Sequence, residues 1–90
     1  MRYSYDPEKK ASNLKKHGLD FDEARRVIES AQTVTFEDRR FDYGETRYIT
    51  LGLLRGAVAI IATAETGKTI RIISMRKADK HEQKIYYENR

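Results

Sequence analysis

Residues 45–77 read ETRYITLGLLRGAVAIIATAETGKTIRIISMRK and carry the strand signals that decide the fold. β-Branched and other apolar residues dominate this stretch, and two glycine-containing pairs interrupt it, at Arg55-Gly56 and Thr66-Gly67. Glycine favours tight turns because it adopts left-handed backbone conformations without a steric penalty. The stretch therefore predicts three strands joined by hairpin turns. The predicted strands are Glu45–Leu54, Ala57–Glu65 and Thr69–Lys77.

A shorter strand is predicted immediately before these three, over residues 33–37. Val34 and Phe36 alternate there with polar side chains, which is the period-2 pattern of a half-buried strand. The charged stretch Asp38–Tyr43 then ends the strand. We therefore expect a meander of four antiparallel strands.

The N-terminal part of the chain predicts a helix over Pro7–His17. Asp6 can cap this helix, and Pro7 is tolerated in its first turn because the missing amide hydrogen would have no partner there. Gly18 provides a stop signal directly after His17.

Capping boxes, in which an N-cap aspartate is followed three residues later by a glutamate, indicate two further helices. The boxes are Asp20/Glu23 and Asp79/Glu82. They predict a second helix over about Phe21–Ser30 and a last helix through about Asn89. The predicted order is ααββββα, an α+β fold with two N-terminal helices, a four-stranded antiparallel sheet and a C-terminal helix. One face of such a sheet is covered and the other is partly open.

The composition narrows the function classes. Ninety residues suit one compact domain, so residues 1–90 are expected to form a single domain. The absence of cysteine excludes disulfides, thiolate metal sites and cysteine nucleophiles. The longest apolar run, Ala57–Ala62, is far shorter than the about 20 residues of a membrane helix, and no signal-peptide core is present, so we expect a cytoplasmic protein without membrane contact. The net charge of +4 favours a polyanionic partner.

Several segments resemble the BrnT family of toxins, over nearly the whole chain. These segments are Tyr5–Lys9, Asn13–Ala24, Phe36–Asp38, Glu45–Ile49 and Ile70–Ala78. The resemblance implies a ribonuclease toxin of a type II toxin–antitoxin system, with a RelE-like fold, that inhibits translation and growth. It also implies a BrnA-like antitoxin with a dimeric ribbon-helix-helix DNA-binding domain, so that this chain contacts DNA only indirectly, through its partner.

RNA cleavage without a metal needs a base for the 2′-hydroxyl proton, cations for the phosphorane charge and an acid for the leaving 5′-oxygen. His17 is the best acid or base, because histidine side chains titrate near neutrality. A histidine at a helix end is explained equally well as a cap favoured by the helix dipole. Lys15 and Lys16 precede it, and either one binds phosphate or lies on a solvated helix face.

Predicted strands contain three arginines, Arg47, Arg71 and Arg76. A charged side chain inside a strand pattern requires an explanation. Guanidinium groups are planar forked donors that suit phosphate oxygens, whereas the alternative is that they are edge charges that protect the sheet from aggregation. Strand alternation places Ser74 and Arg76 on the face opposite Arg71. The arginines therefore converge only if a bulge or twist intervenes. Of the two on the last strand, Arg76 is favoured over Arg71.

Other polar residues add weaker candidates. Glu45 is a candidate base or a simple partner of Arg47. Ser74 is a candidate phosphate ligand, although strand hydroxyls more often bond to the nearby backbone. Tyr48 is predicted to stack on RNA bases.

No cofactor is predicted. The acidic residues of the segment 37–45 suggest magnesium at first sight, but Arg39 and Arg40 lie among them and no fixed ligand spacing appears. Two other function classes stay open at this point. One is a non-catalytic nucleic-acid-binding module that uses the same basic surface, and the other is a scaffold protein whose sheet is completed by another chain. The resemblance places the ribonuclease ahead of both.

Overall fold

The computed structural model describes all residues 1–90 and contains one five-stranded sheet with helices on both faces. In chain order the elements are β1 (Arg2–Tyr5), α1 (Pro7–His17), a 3-10 turn (Phe21–Glu23), α2 (Ala24–Ile28), β2 (Val34–Glu37), β3 (Thr46–Leu54), β4 (Ala57–Thr66), β5 (Thr69–Lys77) and α3 (Lys80–Asn89). The strand order across the sheet is β1-β5-β4-β3-β2. The β1–β5 pair is parallel and the other neighbouring pairs are antiparallel. None of the helices combines the length and the apolar composition needed to cross a membrane.

The predicted four-stranded antiparallel sheet is wrong, because β1 adds a parallel edge strand, although the α+β class is correct. Tyr3 lies opposite Ile70 and Tyr5 opposite Ile72 in the parallel register. Tyr3 packs against the buried core, and the Tyr5 ring contacts Phe21 edge to face at 6.1 Å. Only four residues form this strand, and the sequence pattern predicted no element before the helix cap at Asp6.

The predicted second helix, Phe21–Ser30, is also wrong in form. A 3-10 turn over Phe21–Glu23 leads into the five-residue α2. The side chain of Asp20 accepts a hydrogen bond from the backbone of Asp22, whereas the carboxylate of Glu23 pairs with Arg55 at 2.6 Å. The reciprocal bond of the predicted capping box is therefore not made, because Glu23 instead binds Arg55, which lies in the turn between β3 and β4.

Each face of the sheet buries its own apolar cluster. The α1–α2 face is the side covered by α1, the 3-10 turn and α2. Its buried cluster includes Phe21, Val27, Ile61, Ile72 and Met75. The α3 face is the opposite side, where Tyr86 of α3 packs on Leu51, Val58 and Ile60. Further along the α3 face, Phe36 is 48 % exposed, so this face is partly open.

A β-bulge in β5 decides which side chains share the α3 face. Thr63 of β4 lies opposite Ile72, but the next residue, Ala62, lies opposite Ser74, so Ile73 is an extra residue. Directly opposed residues of antiparallel strands point to the same face. The bulge therefore places Arg71, Ser74 and Arg76 all on the α3 face, which plain alternation would not do.

The helix α1 is fixed to the sheet by a buried amide. Asn13, 7 % exposed, accepts a hydrogen bond from the backbone N–H of Met75 and donates one to the carbonyl of Leu19, each at 3.0 Å. Gly18 ends α1 in the left-handed conformation, with φ 71°. The C-terminal turn of α1 is thereby held beside β5 and the start of the following segment.

Candidate functional site

Two strand arginines converge on the α3 face. Arg47 of β3 and Arg71 of β5 both lie opposite Ala64 of β4, one on each side. Glu45 joins them, since its carboxylate accepts from Arg47 Nε at 2.8 Å and from Arg71 Nη2 at 2.9 and 3.1 Å. The small side chain of Ala64 leaves room for the two guanidinium groups to approach each other above the sheet. We call Arg47, Glu45 and Arg71 the arginine pair with its bridging carboxylate.

The charge environment of Glu45 makes it a weak base. Its hydrogen bond from Arg47 and the positive charge of Arg71 lower its pKa, against an opposing effect of desolvation. The carboxylate is therefore ionised under ordinary conditions and stabilised in that form. The Glu45 carboxylate is itself an oxyanion that two guanidinium groups bind. The arrangement of Arg47 and Arg71 therefore also suits a phosphate group.

Arg76 lies on the same face but has a different partner. Its two terminal nitrogens donate to the two oxygens of Glu82, each at 2.7 Å. Glu82 also closes the capping box of α3 with Asp79, so the predicted box at this helix is confirmed. The hydrogen bonds from Arg76, and to a lesser extent the one from the backbone N–H of Asp79, lower the pKa of Glu82 to about 2. Arg76 is thus fixed at the start of α3.

A shallow groove of about 210 Å³ lies beside Arg76 on the α3 face. Phe36, Ile49 and Ile60 are its apolar lining residues. Arg76 and Glu82 belong to one part of the wall and residues 37–40 to the other. The groove therefore combines an apolar floor with charged walls.

A second pocket, also about 210 Å³, lies at the free part of the β5 edge. The strand β1 pairs only with residues 69–72 of β5, so no strand pairs with this edge from Ile73 onward. His17 and Lys16 of α1 line this pocket together with Ser74. Its other lining residues are Lys9, Ser12, Asn13 and Ile73. The structure thus brings three of the predicted site residues together here, at the edge of the strand that carries Arg71 and Arg76.

The remaining predicted residues lie elsewhere. Lys15 is exposed and lines neither of these pockets. Tyr48 lies opposite Glu37 and Thr63 and directly follows Arg47 in β3. Successive strand residues point to opposite faces, so Tyr48 points to the α1–α2 face. Tyr86 is fully buried and donates to the carbonyl of Gln32 at 2.8 Å, so its role is in packing.

The acidic side chains of residues 37–45 are bound to groups of the same segment, of β3 and of β5. Glu37 pairs with Arg39, and Asp38 with Arg40. Asp42 accepts from the backbone N–H of Gly44 at 3.0 Å. No three His, Asp or Glu side chains of the chain lie close enough together to hold a metal ion.

Sequence reasoning missed Tyr43, which lies directly beside the arginine pair. The guanidinium carbon of Arg47 is 4.1 Å from the centre of the Tyr43 ring, and the Tyr43 hydroxyl donates to Asp38 at 2.9 Å. Tyr43 lies in a loop without periodic pattern, so only its closeness in sequence to Glu45 and Arg47 was a usable signal. Glu82 was recognised as a helix cap but not as the partner of Arg76.

The comparisons with known proteins point to one family. A sequence model described as "Ribonuclease toxin, BrnT, of type II toxin-antitoxin system" matches residues 5–82. That range contains the arginine pair, its bridging carboxylate, Arg76 and the pocket beside β5. No curated protein matches the sequence.

Proposed function

Because the chain belongs to the BrnT family of ribonuclease toxins of type II toxin–antitoxin systems, we propose that its α3 face and the adjoining edge of β5 hold the ribonuclease site and that cleavage needs no metal ion. The observation that supports this site best is the bridge from Glu45 to both Arg47 and Arg71. Two guanidinium groups already converge on one anionic group there. A scissile phosphate that displaces the carboxylate would meet the same donors, Arg47 Nε and Arg71 Nη2.

The proposed chemical step is attack by the 2′-oxygen of the RNA on the adjacent phosphorus. A new bond forms between the 2′-oxygen and phosphorus, and the bond from phosphorus to the 5′-oxygen breaks. The 2′-hydroxyl proton passes to a base, and the leaving 5′-oxygen takes a proton from an acid. The products are a 2′,3′-cyclic phosphate and a 5′-hydroxyl. Arg47 and Arg71 stabilise the extra negative charge of the phosphorane, which is the role that a metal ion has in other nucleases.

The other residues are assigned by position. His17 is the proposed acid or base, and Lys16 and Ser74, which share its pocket, bind a neighbouring phosphate. Arg71 is placed ahead of Arg76 in charge stabilisation, because Arg71 shares an anion with Arg47 whereas Glu82 holds Arg76. Arg76 contacts the RNA backbone, and Lys15 extends the basic surface. Tyr48 faces the other side of the sheet and is left out of the proposed site.

Replacing the arginines tests the site directly. Arg47→Ala and Arg71→Ala should each lower the rate of RNA cleavage by about 10² to 10³, the usual effect of losing one transition-state donor. The matched control is Arg26→Ala, since Arg26 is an exposed arginine of α2 on the covered face. Both site variants should also stop growth arrest on induction, with a thermal midpoint close to that of the unaltered protein. Full cleavage and toxicity in both site variants would reject the proposed site.

The pH dependence of cleavage separates the two candidate bases. Since the pKa of Glu45 is lowered by Arg47, we assign it a positioning role, in which it holds the two arginines side by side until the phosphate displaces it. Glu45→Gln should therefore keep the limb of the pH–rate profile that reports the base, whereas His17→Gln should remove it. A profile that loses this limb only in Glu45→Gln would assign the base to Glu45.

As a type II toxin, the chain acts on RNA and is paired with a protein antitoxin. We propose that this antitoxin is BrnA-like, has a ribbon-helix-helix domain that binds DNA for the complex, and covers the α3 face. The support is the partly open face and the excess of positive charge, which an acidic partner would neutralise. The toxin would act in the cytoplasm and inhibit translation by cutting RNA.

Co-purification with the product of the adjacent gene tests this arrangement. The complex should form and should cleave RNA far more slowly than the free toxin, because a standard interface of roughly 1,200 to 2,000 Å² is large enough to cover the site. A stable complex that cleaves at the free rate would contradict masking of the site.

A further inference from the structure

The loop between β2 and β3, residues 38–45, presents an aromatic ring to solvent. Phe41 is 68 % exposed, more than any other large apolar side chain of the chain. Single exposed apolar residues are common on protein surfaces. What distinguishes Phe41 is that its loop is held by a network of hydrogen bonds and adjoins the arginine pair.

A buried carboxylate organises this loop. Asp38, 8 % exposed, accepts from Arg40 Nε and Nη2, each at 2.9 Å, and from the backbone N–H of Arg40 at 3.2 Å. Its fourth donor is the Tyr43 hydroxyl, at 2.9 Å. These bonds, those from the Arg40 side chain above all, hold the pKa of Asp38 well below its usual range. The loop is therefore fixed before any ligand arrives, which lowers the entropic cost of binding.

A continuous set of ring and guanidinium contacts connects Phe41 to the arginine pair. The Phe41 and Tyr43 rings meet edge to face, with centres 5.8 Å apart and planes at 76°. Arg40 approaches the Phe41 ring at 6.0 Å. Arg47 in turn lies over the Tyr43 ring and binds Glu45. One aromatic ring thus separates Phe41 from the proposed phosphate site.

We propose that Phe41 is a stacking platform for an unpaired RNA base next to the scissile phosphate, so that the substrate is single-stranded RNA. This inference rests on the proposed function of Arg47 and Arg71. Aromatic faces stack on any base, but bases inside a duplex are not accessible to them. The groups around the Phe41 ring are a guanidinium and a phenol, which suit a nucleotide. The aliphatic residues that favour a protein partner, Ile49 and Ile60, line the neighbouring groove, of which Phe41 is not a lining residue.

Binding of an uncleavable RNA tests the platform. The probe is a short single-stranded RNA with 2′-O-methyl groups, which block attack by the 2′-oxygen. Phe41→Ala should weaken its binding about tenfold or more, as expected for the loss of one stacked base. Tyr87→Ala is the matched control, because Tyr87 is 49 % exposed on α3, and it should bind like the unaltered protein. Equal affinities for Phe41→Ala and the control would overturn the proposal.

A fluorescent variant gives an independent readout. The chain has no tryptophan, so Phe41→Trp introduces a single reporter at the platform. The single-stranded probe should quench this fluorescence, and a fully paired duplex of the same sequence should leave it nearly unchanged. Quenching of equal size and affinity by both RNAs would contradict selection of unpaired bases.

Measuring Arg47→Ala and Phe41→Ala side by side distinguishes a failure of this inference from a failure of the proposed function. If Arg47→Ala weakens RNA binding and cleavage while Phe41→Ala leaves both unchanged, the arginine site stands and the platform is rejected. If neither variant changes RNA binding or cleavage, the proposed function fails as well. If Phe41→Ala keeps its affinity for RNA but loses the antitoxin, Phe41 is a protein contact and the inference is overturned.

Discussion

The buried amide of Asn13 should be one of the most sensitive positions for stability. It joins three parts of the chain, because its side chain accepts from the Met75 N–H and donates to the Leu19 carbonyl. Asn13→Leu keeps a side chain of similar size in the same space, which limits the entry of water. Both backbone groups then lose their partner while α1 still covers them.

The expected loss follows from these two bonds. A buried polar group left without a partner costs about 1 to 3 kcal/mol, so two such groups give about 3 kcal/mol after partial relaxation. For a domain of this size, each kcal/mol lowers the thermal midpoint by about 4 to 8 °C. Asn13→Leu should therefore lower the midpoint by roughly 10 to 25 °C.

Urea denaturation and thermal unfolding, followed by circular dichroism, measure this loss. The matched control is Ser12→Ala, which removes an exposed hydroxyl of α1 that bonds only to the Lys9 carbonyl of the same helix. It should change the free energy of unfolding by less than about 0.5 kcal/mol. A loss below about 1 kcal/mol in Asn13→Leu would refute the reasoning that this amide fixes α1 to β5.

The variant Asn13→Asp tests the same contacts through the direction in which stability changes with pH. A protonated carboxyl group can accept from Met75 and donate to Leu19, whereas an ionised one cannot donate and lies buried beside a carbonyl oxygen. Burial should raise the folded-state pKa of this carboxyl above its unfolded value of about 3.9. Its stabilising effect should therefore be complete below that value and be lost as the pH rises through the folded-state pKa. Stability that increases over the same rise in pH would contradict the assigned contacts.

Two further predictions concern packing and acid stability. Gly52→Ala should destabilise the protein by about 1 to 3 kcal/mol, because an added Cβ would lie 2.7 Å from Val27 Cγ1; urea denaturation measures this, and an unchanged midpoint would show that α2 shifts freely. The Arg76–Glu82 pair stabilises the fold while Glu82 is ionised, so this contribution is present above its ordinary pKa of 4.5 and is lost as the pH falls through about 2. Glu82→Gln should therefore flatten the fall in stability over that range, whereas Glu88→Gln, at an exposed position, should not; equal slopes in both would mean that the pair contributes nothing to folding.

Local signals in the sequence predicted the elements that have strong end signals. The helix α1 has the predicted bounds, Pro7–His17. Its N-cap and proline act on the first turn, and the glycine after it acts on the last turn. The strand β5 also has the predicted bounds, Thr69–Lys77. Each of these elements depends on neighbours within a few residues. They are therefore visible in a single sequence.

Features that depend on distant partners were not predictable. The strand β1 has only four residues and exists because β5 offers a parallel edge more than 60 positions away. The bulge at Ile73 is not marked by a glycine or proline, so nothing in the sequence showed that Arg71 and Arg76 share a face. The pairing of Glu45 with Arg47 was anticipated as an alternative, but Arg71 as the second partner of Glu45 needed the three-dimensional register.

The most direct test of the central claim is cleavage of RNA by the purified protein in an excess of EDTA, with analysis of the product ends. The unaltered protein should cleave at the same rate with and without the chelator, and its products should carry 2′,3′-cyclic phosphates and 5′-hydroxyls. Arg47→Ala and Arg71→Ala should cleave about 10² to 10³ times more slowly under both conditions, and Arg26→Ala should cleave normally. Activity that disappears in EDTA, returns with magnesium and leaves other product ends would contradict the account.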